Sequence, residues 1–388
     1  MTAPAPTALP PALAEALAEQ PAARLALAAA LGAPSHAYLF AGAPGSGKRA
    51  AARAFAAELL ADGAEDPDSA RRRALADPSP HPDLTWVRPP GMQHLVEEIR
   101  DRVIDASAYR PFEGSRRVFV IEAADAMAEE SQNALLKTLE EPAPFAHLIL
   151  VSSQPSALLE TVRSRCQTIR FAALAPEAIE ARLKAEREDL AADELELRAA
   201  ARLAGGDLGL ARTLLTERGR ELRERATALA RACRAAALDD APWKGLLEAA
   251  ERAGEEAGAR IAEAYRARAD DLREADQRAA RRIEREGEDA AKRATRTART
   301  NALDAGLALM TAWFRDLAAV GDGAAEFVLN VDRAAELAED AGGVDPRRAR
   351  RAGELVMDTR RRLSVNVNEE LALEALCFRA EVLLAPRG

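Results

Sequence analysis

Short apolar runs alternate with amphipathic stretches over the first 172 residues. Val118-Phe119-Val120-Ile121 and Leu148-Ile149-Leu150-Val151 are unbroken apolar runs, the mark of parallel strands covered on both faces. His36 to Ala41, Asp83 to Arg88 and Gln167 to Phe171 read as further strands, with Trp86 expected in the core. Between them, Leu13 to Leu31 reads as helical, with Pro21 starting its second part. Lys48 to Leu60, Leu95 to Tyr109 and Ala128 to Glu141 follow as helices, the last with Leu135, Leu136 and Leu139 on one face and Pro142 as its stop. Pro89-Pro90-Gly91 breaks the second strand, and Pro111 to Ser115 turns into the third. Strand, helix and strand joined by short links predict an α/β domain with a parallel sheet.

After Phe171 the pattern changes to helix alone. Ala175-Pro176-Glu177 opens a helix with proline in its first turn. Residues 173 to 220 read as a small helical lid, interrupted at Gly205-Gly206-Asp207, and 221 to 388 as a helical domain. Leu303 to Val320 and Ala349 to Leu384 carry apolar spacing for a bundle, with Trp313 and Phe314 in its core. Residues 251 to 300 break that spacing. From Gln277 to Arg299 there are eight Lys/Arg against four acids, with Ile283 the one large apolar residue. Such a segment is expected to bury no face, as a long solvated helix or a partly disordered extension. Its cations also suit a DNA-contacting arm, since lysine and arginine neutralise phosphates.

Composition narrows the class. Aromatics are few, alanine and arginine many, and the formal charge is −9, which opposes dominant nonspecific DNA affinity. The three cysteines, Cys166, Cys233 and Cys377, are far apart in sequence and form no CxxC, so neither a disulfide framework nor a zinc site is indicated. No run approaches the roughly 18 apolar residues of a membrane span. Residues 1 to 12 are Ala/Pro-rich without a basic region and read as a disordered leader, leaving the cytoplasm as the expected location.

The chemistry begins after the first strand. Gly42-Ala43-Pro44-Gly45-Ser46-Gly47-Lys48-Arg49 has a strand before it and a helix after it, the context of a phosphate-binding loop. Backbone N–H groups and the helix N-terminus cradle phosphate oxygens, and the lysine adds a point charge. The plainer reading is a Gly/Pro turn that matches by chance.

This loop, together with "NALLKTLEEP" (Asn133 to Pro142) and "SRC" (Ser164 to Cys166), resembles the clamp-loader branch of the AAA+ family over about residues 15 to 215. "SVNVNEELALEAL" (Ser364 to Leu376) is similar to the last helix of that branch's collar domain. The resemblance implies an AAA+ P-loop core, a helical lid and an all-α collar. It also implies a hetero-oligomeric ring with clamp-loader motor subunits and a delta-like subunit, acting on a sliding clamp and primer-template DNA.

In that family Glu19-Gln20-Pro21 would border the adenine pocket, though an ordinary packing helix explains it equally well. The polar stretch Ala61 to Pro82 falls where many relatives carry a four-cysteine zinc module. There is no cysteine between 49 and 165, so a short metal-free loop is expected, with His81 a turn residue rather than a ligand.

A hydrolysing site needs more than the lysine. It needs a Ser/Thr hydroxyl and a strand-end acid on Mg²⁺, and a group that activates water. Lys48 is present. Arg49 replaces the hydroxyl, and arginine has no acceptor. Glu122 replaces the usual aspartate, and Ala123 stands where active relatives carry the catalytic glutamate. Asp125 reads as a helix cap before Met127 to Glu141. Ser152 or Ser153 stands where relatives sense the γ-phosphate, or is only a strand-end hydroxyl. The phosphate-sensing arginine of the lid aligns with Gly209, three residues before Arg212.

ATP or ADP can therefore bind, with Mg²⁺ weak or absent, no zinc, and hydrolysis by this chain absent or very weak. Arg165 of Ser164-Arg165-Cys166 matches the family's arginine finger, which serves the neighbouring subunit's ATP. The competing readings are a surface arginine before an edge strand, and Arg163 as the finger instead. An active motor ATPase of the same machine, or an unrelated P-loop NTPase or kinase, are the alternatives for the whole chain.

Overall fold

The computed structural model describes residues 9–89, 93–186, 192–273, 277–363 and 367–384. Met1 to Ala8 of the expected leader, Pro90-Gly91 of the break after the second strand and Ser364 to Asn366 of the collar motif lie outside the described residues. The chain divides into two compact units, Met1–Leu174 and Ala175–Gly388.

In the first unit, α1 (Pro11–Ala16) and α2 (Pro21–Gly32) precede β1 (Ala37–Gly42). Next come α3 (Lys48–Ala61), α4 (Pro67–Leu75), β2 (Leu84–Val87) and α5 (Val96–Ile99), which runs on as a π-helical turn over Arg100–Asp105. Then follow β3 (Arg117–Ile121), α6 (Glu129–Glu140), β4 (Ala146–Ser152), α7 (Glu160–Arg163) and β5 (Gln167–Phe171). The five strands form one parallel sheet in the order β2-β3-β4-β1-β5.

Alternation along the strands fills two cores. Tyr38, Phe40, Ile149, Val151 and Phe171 pack with Leu13, Leu17, Leu27 and Phe55 of α1, α2 and α3. Leu39, Phe119, Ile121, Leu148 and Leu150 pack with Ile99, Val103, Leu135 and Leu139 on the opposite face. The helix that carries the phosphate loop is thereby fixed against the sheet through Phe55, which meets Tyr38 edge-on at 5.0 Å.

The stretch expected as a loop after α3 holds a helix. Asp66 caps α4, its carboxylate accepting from the Ser69 N–H at 3.0 Å, and Pro67 occupies the first turn. Ala70 and Ala74 are buried under it and Leu75 packs against the first core, so small residues supply most of the packing face.

The second unit is helical. It contains α8 (Pro176–Ala185), α9 (Glu194–Leu203), α10 (Leu208–Leu215), α11 (Glu217–Ala235), α12 (Trp243–Arg273) and α13 (Gln277–Gly321). The chain closes with α14 (Ala334–Ala341), α15 (Pro346–Leu363) and α16 (Glu369–Leu384). Trp313 and Phe314 of α13 are buried as expected, and α13 lies along α15.

The charged stretch does bury a face, which corrects the expectation. α12 and α13 form an antiparallel hairpin, with Gly254 and Gly258 against Thr295, Tyr265 against Gly287, and Arg273 paired with Glu284. Ala269, Ala280 and Ile283 complete its small core. Glycine and alanine let the two backbones approach closely, so the hairpin closes with Ile283 and Tyr265 as its only large apolar contacts among the described residues of its core. A Cβ at Gly258 would stand 2.1 Å from Thr295 Oγ1. Gly258→Leu should therefore loosen the hairpin by about 1–3 kcal/mol, the usual range for overpacking. Hydrogen exchange should show protection lost in α12 and α13 while the sheet of the first unit is unchanged.

Candidate functional site

The loop after β1 is shaped by glycines with distinct jobs. Gly42 lies opposite Phe171, and a Cβ there would sit 2.2 Å from the Phe171 carbonyl oxygen. Gly45 and Gly47 take left-handed backbones at φ 65° and 87°, turning the chain into α3. The first-turn amides of α3, which have no intrahelical partner, face that turn. Lys48 is buried, and its Nζ donates to the carbonyls of Gly42 at 2.7 Å and Ala43 at 2.5 Å and to Ser46 Oγ at 3.4 Å.

Gln20, between α1 and α2, is buried and holds the loop from behind. Its Nε2 donates to the Ser46 carbonyl at 3.0 Å and the Ala172 carbonyl at 2.8 Å, and its Oε1 accepts from the Ala172 N–H at 2.9 Å. Within Glu19-Gln20-Pro21 the glutamine is thus a clamp on the phosphate loop.

The position of the missing hydroxyl is the most informative. Arg49 Nη2 donates to Asp77 Oδ2 at 2.8 Å, and its Nε lies 3.4 Å from Glu122 Oε2. Arg88 bridges the same two acids, donating from Nε to Glu122 Oε2 at 3.0 Å and from Nη2 to both Asp77 oxygens at 2.9 and 2.7 Å. Arg53, one turn beyond Arg49, reaches Asp77 Oδ1 at 3.1 Å and stacks on the Trp86 ring at 4.3 Å. Trp86 Nε1 donates to Glu122 Oε2 at 2.9 Å. Trp86 is accordingly half-buried at the core's edge rather than inside it, with its indole N–H in the cluster.

Burial pushes the Asp77 carboxyl up, but the Arg88 hydrogen bond and the charges of Arg88, Arg53 and Arg49 outweigh it and hold Asp77 below the usual carboxylate range. Mg²⁺ needs several oxygen ligands in near-octahedral order. The acids that could supply them here are capped by guanidinium groups, and the hydroxyl ligand is gone. The residues present therefore do not fit Mg²⁺, while the loop itself fits phosphate oxygens.

Beyond Glu122 the chain turns through Ala123, at φ 50° and ψ 52°, a left-handed backbone that non-glycine residues rarely take. A methyl group there offers no base. Asp125 is not a helix cap, because α6 starts at Glu129 with no side-chain cap. Instead Asp125 Oδ1 accepts from the Ser153 N–H at 3.0 Å, tying this turn to the end of β4. Ser152 shares a strand face with Leu148 and Leu150, opposite to the α3 face, and its buried hydroxyl has no hydrogen-bond partner. Ser153, by contrast, is exposed at the strand end.

Residues 18–175 match the family model described as "DNA polymerase III, delta subunit". The delta-prime subunit of Bacillus subtilis is 39% identical over 151 residues, 38% of this chain and 46% of that protein. The delta-prime subunit of Pseudomonas aeruginosa is 38% identical over 137 residues, 34% of this chain and 42% of that protein. Across its first unit the chain resembles the delta-prime subunit of DNA polymerase III. It spans less than half the length of these two relatives. The tau subunit of Bacillus subtilis is 31% identical over 187 residues, 47% of this chain and 33% of that protein. Among solved structures, a gamma subunit-related protein of Thermotoga maritima is 14% identical with a TM-score of 0.41, covering 94% of this chain and all of the other.

Ser164-Arg165-Cys166 lies between α7 and β5. Arg165 follows α7 at the surface, its Nη2 2.5 Å from Glu140 Oε1 and its Nη1 donating to the Thr161 carbonyl at 2.9 Å. Glu140 belongs to the "NALLKTLEEP" helix, so the two motifs meet at this ion pair. Arg163, the last residue of α7, is also exposed. Cys166 is buried and its thiol is pushed up to about 12 by desolvation, so it packs rather than reacts. In the second unit Gly209 lies in α10, and Arg212 is held by Glu186 at 2.6 and 2.8 Å.

His81 sits in a turn, as expected. It is buried, and its Nδ1 accepts from the Asp83 N–H at 3.1 Å. Among the described residues no group of three or more His, Cys, Asp or Glu could hold a metal ion, and no helix is long and apolar enough to cross a membrane.

Asp77, Arg88 and Arg53 were not expected at the site. Only Arg53 carried a signal, its four-residue spacing from Arg49 on one helix face. His94 was also missed. It is buried, and its Nε2 donates to the Glu122 carbonyl at 2.8 Å, which leaves Nδ1 bare and without a partner. Burial holds His94 below the ordinary histidine value, with the Glu122 hydrogen bond opposing, and burial does the same to His81 and His147.

A lowered folded-state pKa means that the unfolded chain takes the proton more readily. Stability is then present above the unfolded value near 6.5 and is lost as pH falls towards the folded value. The melting temperature should fall between about pH 7.5 and about pH 5.5. His94→Gln, which keeps a donor for the Glu122 carbonyl, should show a smaller fall in the same melts.

Proposed function

We propose that this chain is a non-hydrolysing clamp-loader subunit of the delta-prime kind, which lends Arg165 to the ATP site of a neighbouring motor subunit. The observation that carries this reading is the Arg49 guanidinium lying against Glu122, where a hydroxyl and an acid would have to face a shared metal ion. With Ala123 supplying no base, the site keeps its loop and its lysine but lacks what cleaves a phosphoanhydride. Catalysis of ATP turnover therefore lies with the motor subunits. The exposed Arg165, braced by Glu140, has the form of a finger presented outward. On this reading the chain works in the cytoplasm, in a hetero-oligomeric ring with motor and delta-like subunits. It reaches the sliding clamp and primer-template DNA through that complex and carries no zinc.

Two measurements test this reading. The purified chain should turn over ATP no faster than its Lys48→Ala variant. In a reconstituted loader, Arg165→Ala should fold normally yet slow turnover at the site it faces by about 10³-fold or more, the range for a lost arginine finger. Arg163→Ala should leave that rate unchanged. Unaltered loader ATPase in Arg165→Ala, or brisk turnover by the isolated chain, would overturn the reading.

A further inference from the structure

P-loop sites of this fold work with Mg²⁺, and the residues here do not fit it. We propose that Arg49 takes the cation's place, so that the loop binds a nucleoside di- or triphosphate without any divalent metal. The inference rests on the retained phosphate loop of the proposed function but not on the finger role of Arg165.

Charge favours it. Arg49, Arg53 and Arg88 face two carboxylates, Asp77 and Glu122, so the cluster carries one positive charge in excess beside Lys48. A divalent cation at Glu122 would enter among three guanidinium groups and displace the donors from Arg88 and Trp86. A phosphate oxygen meets the opposite situation. Arginine offers planar paired donors that suit phosphate, and it holds its charge at every working pH.

Mobility favours it as well. The Arg49 side chain is half exposed, whereas Arg53 is 11% exposed and stacked on Trp86. Asp77 has three guanidinium partners and Glu122 has Arg88 and Trp86 besides Arg49. Arg49 can therefore swing to a phosphate while both acids stay compensated. It stands at the second position of α3, directly after Lys48 and at the mouth of the loop.

Calorimetric titration of the full chain with ADP, once with excess Mg²⁺ and once with EDTA, decides the matter. The affinities should agree within about twofold. Arg49→Ala should weaken binding in EDTA by about tenfold, the effect of losing one charge-assisted hydrogen bond. Arg49→Thr, which restores a hydroxyl opposite Glu122, should bind more weakly than the parent in EDTA and regain affinity with Mg²⁺. Lys48→Ala controls for use of the loop, and melts of each variant control for folding. Three results would overturn the proposal: parent affinity rising about tenfold with Mg²⁺, Arg49→Ala binding as the parent does, or no binding of ADP in either buffer. The last result would leave the Arg165 reading standing, because the loader ATPase measures it separately.

Discussion

The ion pair between Arg49 and Glu122 joins the first turn of α3 to the end of β3. In a metal-dependent site these two positions are held apart by an ion that both coordinate, and their separation is set by ligand geometry. Here they touch through a guanidinium. The rest of the cluster follows from that contact. Trp86 and Arg88, at the end of β2 and just beyond it, add donors to the same Glu122 oxygen, and Asp77 collects the surplus guanidinium groups. Exposed ion pairs are individually worth little, about 0–1 kcal/mol each. Their effect here is on occupancy rather than stability, because Glu122 Oε2 and both Asp77 oxygens already face guanidinium or indole N–H groups.

Several features of this arrangement were legible in the residues. The strands read as apolar runs, β5 was read at its observed bounds, and the loop was recognised by its glycines and lysine. That Arg49 supplies no hydroxyl and Ala123 no carboxylate could be seen without coordinates. What stayed hidden was long-range. Nothing near Asp77 shows that it folds back onto the first turn of α3, since ion pairs between distant segments leave no periodicity. Trp86 was misplaced for a related reason. A large aromatic in a strand reads as core, but its N–H needs a partner, and the edge strand β2 put that partner within reach at Glu122.

The misread elements share another cause. Helix α4 packs mainly through alanine, and the α12–α13 hairpin through alanine and glycine. A reading that looks for a stripe of large apolar residues at helical spacing finds too few there and assigns loop or solvent. Close backbone approach supplies the contact instead, as Gly258 against Thr295 shows. In an alanine-rich chain with 22 glycines, small-residue seams must be weighed alongside leucine stripes.

The phosphate loop also has mechanical connections. Gly42 ends β1 directly against Phe171, and Gln20 links the loop's Ser46 carbonyl to Ala172 by three hydrogen bonds. Both contacts hold the carboxyl end of β5. Arg165 stands two residues before the other end of the same strand, which rises about 3.3 Å per residue. The buried Ile169 and Phe171 fix that strand in the first core, while its remaining side chains face outward. The seat of Arg165 is therefore built on the phosphate loop through a single short strand. Gly42, at the start of the loop, is the glycine that admits Phe171. A side chain at Gly42 would disturb the outward-facing arginine even with no nucleotide in the loop.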